Sequence, residues 1–274
     1  CARRELKEYG LINAILPLQN TFLEILQPVE EASAGARFLE RRGEGVYMLA
    51  FQVADRDRAV ADLQAKGLVI TGTPDQSQAK IAFVHPRSFF GAFLSLTQPT
   101  DKGNPWPDAG PGWRKYTKGA LLKDLRCATI LLKDMGQALF QAHEVFGLLP
   151  TEFYELKEYG ARGAYLPVGK GRLYGKTFLE FMTPTGPDAP SARFLEKRGE
   201  GVYMVAFDVE DLDAAVRRAV ANGAQVVGGM EERGFRLAWL HPKSVNGVFV
   251  ELHQVTAKDN PWPRGGEEWW KRRP

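Results

Sequence analysis

The sequence predicts an α+β fold built twice, as two tandem domains each made of paired βαβββ modules whose sheets close into a cup. Three observations carry this. The first is a repeat: ARFLERRGEGVYMLAFQV begins at Ala36 and returns as ARFLEKRGEGVYMVAFDV at Ala192, an offset of 156. The same offset links TFLE (Thr21, Thr177), HP (His85, His241) and NPWP (Asn104, Asn260). The second is that strand and helix signals follow one order in both copies. The third is length: 274 residues suit two domains, placed at 1–115 and 116–274, each able to bury its own core.

In the second copy, residues 126–132 form a short apolar, β-branched run expected to be a strand. A helix follows over 135–146, with Met135, Ala138, Leu139 and Ala142 at helical spacing and Gly147 as its stop. Strands are expected at 153–157, 161–167 and 177–182. The second module repeats the plan: a strand at 201–209, a helix at 212–221 stopped by Asn222-Gly223, and strands near 225–227, 236–240 and 248–253. HPKSVNG, from His241, is the turn before the last strand, rich in turn-forming residues. The first copy follows from its second strand onward, with a helix at 57–66 ended by Gly67. LKEYG at Leu6 and Leu156 is offset by only 150, so the second copy carries six extra residues within GKGRLYGK, residues 169–176. Cys1 aligns with Thr151, so the first domain is expected to lack its opening strand and helix in this sequence.

Composition narrows the function classes. The formal charge is only +3, with 36 basic and 33 acidic residues interspersed, which gives no case for nucleic-acid binding. No apolar run approaches the roughly 20 residues of a membrane helix, and CARRELKEYG does not read as a signal peptide. Two cysteines, Cys1 and Cys127, build no disulfide framework, so a cytoplasmic location is expected. The partners expected are a small-molecule substrate or ligand, with a homodimer as the candidate assembly.

FLEKRGEGVYMVAFDVEDLDAAV (from Phe194) and LAWLHPKSVNGVFVELHQ (from Leu237) are similar to central segments of methylmalonyl-CoA epimerases, and LRCATILLKD (from Leu125) resembles their opening strand. The chain thus resembles the vicinal oxygen chelate superfamily, which includes glyoxalases, bleomycin-resistance proteins and extradiol dioxygenases. The resemblance implies a divalent metal held in the cup by residues on the first and last strand of each module, usually His on the opening strands and Glu or Gln on the closing ones. Here the matching positions of the second domain are Cys127, Glu180, Met204 and Glu251; in the first they are Glu24, Met48 and Ser95. Thioether sulfur is a poor donor for such ions, so no cofactor is expected. If a divalent metal bound, Glu180, Glu251 and His253 would be its candidate ligands.

The catalytic candidates are Glu251, Glu180 and His253. Alternation places Phe249, Glu251 and His253 on one face of the last strand, where the resemblance implies the cup. A carboxylate there can move protons, as the epimerases do with a pair of them. From pattern alone Glu251 reads equally as a solvent-facing residue, and His253 as a rim histidine. Cys127, Met204, Phe178, Met182 and Phe249 are the candidate substrate-binding residues, although Cys127 reads equally as a small core residue. Tyr203 and Tyr47 should point away from the pocket. His85 and His241 recur in both HP turns, which argues for a structural role; His143 reads as a solvated helix-end residue. NPWP with the tryptophans that follow it reads as a tail folding back on its own domain or a dimer partner. Carboxylate-mediated proton transfer (epimerase, isomerase or lyase type) on an oxyanion-bearing substrate such as an acyl-CoA is the function expected, with the second domain active. The alternatives are a metal-free, drug-sequestering type of binding protein and a dioxygenase-like enzyme with atypical ligands.

Overall fold

The structure is a computed structural model describing residues 3–101, 112–169, 174–232 and 234–271. Cys1, the NPWP copy at Asn104 and residues 170–173 of the six-residue insertion lie outside the described residues. The chain divides into two compact units, Cys1–Ala120 and Leu121–Pro274.

Unit 1 contains β1 (Arg3–Leu6), β2 (Leu11–Pro17), β3 (Phe22–Pro28), α1 (Ala34–Arg42), β4 (Met48–Gln52), α2 (Arg56–Ala65), β5 (Ile70–Gly72), β6 (Ala79–Val84) and β7 (Phe93–Pro99). Its strands form two sheets, ordered β1-β2-β3 and β4-β7-β6-β5. Unit 2 contains β8 (Leu122–Leu131), α3 (Met135–Phe146), β9 (Glu152–Leu156), β10 (Ala161–Val168), β11 (Thr177–Pro184), α4 (Pro190–Arg198), β12 (Gly201–Val209), α5 (Leu212–Ala221), β13 (Val226–Glu232), β14 (Phe235–Leu240) and β15 (Phe249–Val255). Here one eight-stranded sheet runs β13-β14-β15-β12-β8-β11-β10-β9.

The order explains the sequence patterns. In each module of unit 2 the first strand lies parallel to the last, and the two first strands, β8 and β12, pair antiparallel at the centre. A central strand covered on both sides should read as a continuous apolar run, and β8 is buried without alternation from Arg126 to Leu131. Leu252 points to the helix side, where it packs with Leu212 and Ala215 of α5; its neighbours Glu251 and His253 therefore face the concave side. Among the described residues of unit 1 no strand corresponds to β8, and β3 and β4 are not paired.

Local chemistry fixes the ends. Asp134 and Asp211 cap α3 and α5 by accepting from Gln137 N and Ala214 N, and Gly147 closes α3 in the left-handed conformation. His85 and His241 act in the backbone: each Nδ1 accepts from the amide two residues on, Arg87 or Lys243. The HP turns then need a positive φ, which Asn246 (53°) meets easily and Phe90 (46°) only with strain.

Sequence reading missed α1 and α4. ARFLERR and ARFLEKR carry few apolar residues, and Phe38 and Phe194 dock inward, edge-on to Tyr47 and Tyr203 at 5.2 and 5.0 Å. These tyrosines also pack on Phe93 and Phe249, so the same three-ring stack is built in both units. Strand β13 is longer than expected because its exposed Gly-Gly-Met-Glu-Glu run lacks an apolar face. Among the described residues no helix is long and apolar enough to cross a membrane.

Candidate active site

The concave face of unit 2 gathers chemistry that the sequence scatters. Glu180 on β11 and Glu251 on β15 are both buried, at 1% and 0% exposure. Glu180 accepts from the hydroxyls of Thr129 on β8 and Tyr154 on β9, the latter at 2.5 Å. Tyr154 reaches it across β10 at Gly163, where any Cβ would collide with the phenol ring. Glu251 accepts from the Trp239 indole N–H at 2.9 Å, across the β14–β15 register.

A residue that sequence reasoning left out joins the two acids. Arg264, in the tail after β15, donates through Nη1 to Glu251 at 2.5 Å, and its Nη2 lies 3.6 Å from Glu180. Its side chain is 10% exposed. The guanidinium also lies over the rings of Tyr165, Trp262 and Phe235, at 5.1, 5.7 and 5.9 Å. Burial alone would push its pKa down. Glu251 foremost, then Tyr165 and Glu180, hold it instead well above its ordinary value, so the charge is permanent.

The tail itself fills the cup. Trp262 and Trp269 are 0% and 2% exposed and pack with Cys127, Tyr165, Phe178 and Ala206. Asn260 knots the segment: its carboxamide accepts from Trp262 N and the Trp269 indole and donates to Gly266 O. Gly175 is required beneath it, because a Cβ there would overlap the Trp269 ring. The NPWP tail of the second copy therefore folds back on its own unit.

His253 is not at a rim: it is fully buried, stacked on Phe235 and tilted against Trp262 with centroids 4.2 Å apart. Its Nδ1 faces Asp208 Oδ1 at 3.6 Å, too far for a hydrogen bond. Burial pushes its pKa below the ordinary value, so the ring is neutral near pH 7. Asp208 is desolvated, yet its contacts with His253 and Arg126 hold it below the usual carboxylate range. Arg126 donates Nε to it at 2.9 Å.

Cys127 is buried beneath the tryptophans; burial, then Glu180, pushes its thiol well up, so it is a neutral core group rather than a thiolate. Phe178 joins it there. The other expected binding residues are separated from this cluster. Met204 and Phe249 pack with Phe235, Leu237 and Trp239, and Met182 packs with Leu131 and Ala161 against α4.

A divalent metal does not fit these residues. The place between the two carboxylates is taken by a guanidinium, and Met204 sits in an apolar cluster. Among the described residues no group of three or more His, Cys, Asp or Glu side chains is arranged to hold a metal.

The family model of the glyoxalase/bleomycin resistance protein/dioxygenase superfamily matches residues 128–239, and that of the glyoxalase-like domain matches residues 2–102. A mitochondrial methylmalonyl-CoA epimerase of Dictyostelium discoideum is 32% identical over 134 residues, 47% of this chain and 77% of that protein. The chain belongs to the glyoxalase/bleomycin resistance protein/dioxygenase superfamily. An ethylmalonyl-CoA/methylmalonyl-CoA epimerase of Cereibacter sphaeroides is 40% identical over 84 residues, 29% of this chain and 63% of that one. The crystal structure of methylmalonyl-CoA epimerase from Mycobacterium tuberculosis aligns with a TM-score of 0.47 at 28% identity, covering 51% of this chain and 93% of the other. The fold is the superfamily's cupped sheet, and the relatives matched over most of their length are epimerases.

Arg264 left one trace in the sequence. Position 156 before it is Asp108, so NPWPR replaces NPWPD just where the first copy also replaces Glu251 with Ser95.

Proposed function

We propose that this superfamily member catalyses proton transfer at the carbon next to the thioester carbonyl of an acyl-CoA, as an epimerase-type enzyme, with Glu251 and Glu180 of the second domain as the acid–base pair. The observation that carries this reading is the pairing itself. Two buried carboxylates, one from the closing strand of each module, meet at a common cation. Glu251, as the carboxylate, takes the proton and the C–H electron pair moves onto the carbonyl oxygen. Glu180, entering the cycle as the carboxylic acid, gives its proton to the carbon as the enolate's electron pair returns, and exchange with solvent resets both acids. The enolate oxygen needs positive charge, which Arg264 supplies. The relatives named as methylmalonyl-CoA epimerases support the substrate class.

Access requires the tail to shift. Both ring nitrogens of His253 and the Trp262 indole nitrogen are buried without a hydrogen-bond partner among the described residues. Orphaned groups of this kind cost about 1–3 kcal/mol each, so the tail's seat is imperfect at that point. A polar group of the substrate would satisfy them. The filled cup also supports a second reading, in which the second domain is a structural partner that no longer turns over.

Solvent deuterium exchange into methylmalonyl-CoA and ethylmalonyl-CoA decides between them. The enzyme reading expects exchange by the native chain that falls about 10²-fold or more in Glu251→Gln. It also expects faster exchange in Trp269→Ala, which thins the plug and leaves Arg264 in place. No exchange by either the native chain or Trp269→Ala would leave the structural reading.

A further inference from the structure

We propose that the floor of the second domain's cup is a guanidinium-recognition site, which the chain fills with its own Arg264 where the family resemblance implies a divalent ion. The placement of this cation stands apart from any reaction; only its use against an enolate oxygen rests on the proton-transfer reading.

The site has the features that distinguish a planar, delocalised cation from a metal. Its charge partners are two carboxylates from different strands, reached by different nitrogens of one fork. Its walls are aromatic faces, Tyr165, Phe235 and Trp262, which attract a weakly hydrated guanidinium but offer a metal no lone pair. The carboxylate oxygens turned away from Arg264 are bound by Thr129 and Trp239, and Tyr154 donates to the Glu180 oxygen that faces it; all three are neutral donors that would compete with metal coordination. Of the other two family positions, the Met204 thioether is a weak donor for such ions and Cys127 lies buried beneath the tryptophans.

The surroundings are built to deliver the group. Arg264 lies two residues after Trp262, and Gly265 follows with no side chain, where a Cβ would stand 2.9 Å from both Trp262 and Trp269. The Asn260 knot closes the same turn. The first copy keeps Glu24 for Glu180 but has Ser95 for Glu251 and Asp108 for Arg264. Acid and cation differ together between the copies, as expected of partners in one site.

The test is rescue in trans, read by thermal unfolding of the full chain. Arg264→Gly should lower Tm by about 5–10 °C. Low-millimolar guanidinium chloride should then raise it saturably towards the native value, whereas equal concentrations of sodium chloride, methylammonium chloride or cobalt(II) chloride should not. The native chain and the double variant Arg264→Gly/Glu251→Gln should show no such rise. A native Tm in Arg264→Gly, indifference to guanidinium, or an equal rise with cobalt(II) would overturn the proposal. Should Arg264→Gly fail to fold, Arg264→Lys and Arg264→Met carry the test: Lys must be the more stable, and equality or the reverse order sinks it. Rescue without deuterium exchange would remove only the enzyme reading; exchange without rescue would remove only this one.

Discussion

The two domains hold the same acid in two different settings. Glu180 is fully enclosed and takes hydrogen bonds from Thr129 and from Tyr154 across Gly163. Its counterpart Glu24 is half-buried and is bound at 2.6 Å by the carboxamide of Asn13, which stands where Gly163 stands in the other copy. The closing strands differ in concert. Trp239 donates to Glu251 in one domain; the register-equivalent pair in the other is Phe83 and Ser95, in which neither the acid nor its donor survives. Asp208 and His253 likewise become Gln52 and Thr97. An acid is fully buried where its full set of partners stands with it; where they are missing it is half-buried, as at Glu24, or replaced, as at Ser95.

Substitutions can break this contrast. The largest effect is expected at Arg264→Met, which strands two buried carboxylates and should cost about 3–5 kcal/mol in denaturant unfolding of the second domain. Glu24→Gln at the half-buried site of the first domain should cost about 1 kcal/mol or less by the same measurement. Similar losses at the two sites would mean that the second domain's pair is no more embedded than the first domain's single acid.

Trp262→Ala comes next. It removes a fully buried ring from the cup and should cost about 3–5 kcal/mol, at the lower end if the cavity admits water. Gly175→Ala asks less of the same plug. The new methyl group must displace Trp269 and strain a positive φ, for about 1–3 kcal/mol, with a gain in tryptophan exposure seen by fluorescence quenching.

The smallest effect concerns pH. His253 is held below its ordinary pKa, with Asp208, Glu251, Arg264 and Arg126 as the charged groups around it. The unfolded chain takes up a proton near pH 6.5 while the folded ring stays neutral, so stability falls as pH drops below about 6.5. Asp208 has the opposite kind of shift: its contribution is present above the unfolded carboxyl value near pH 4 and is lost only below that. His253→Thr, the first domain's residue, should flatten Tm between pH 7 and 5. An unchanged slope would assign the dependence elsewhere.

Much of this was legible in the sequence, for physical reasons. The duplication and the strand order follow from periodicity and repeat spacing, and the helices at Met135–Phe146 and Leu212–Ala221 from apolar spacing between an acidic cap and a glycine or asparagine stop. Alternation along β15 put Glu251 and His253 on one face, and only the family resemblance turned that face towards the cup. Arg264 was not legible, because a charged residue in a Pro- and Gly-rich tail has no periodicity to say where it points. The burial of His253 was hidden for the same reason, since Trp262, which covers it, comes from that tail. The short helices Ala34–Arg42 and Pro190–Arg198 were missed because they are only nine residues long and mostly polar, with few apolar positions to set a period.

The central claim is that Arg264 and Glu251 act as one buried unit. A double-mutant cycle of Arg264→Met and Glu251→Gln, followed by urea unfolding of the second domain, measures it directly. The account predicts a coupling energy of about 2 kcal/mol or more, the double variant being far less damaged than the two single losses combined. Additive losses, with a coupling within about 0.5 kcal/mol of zero, would contradict it.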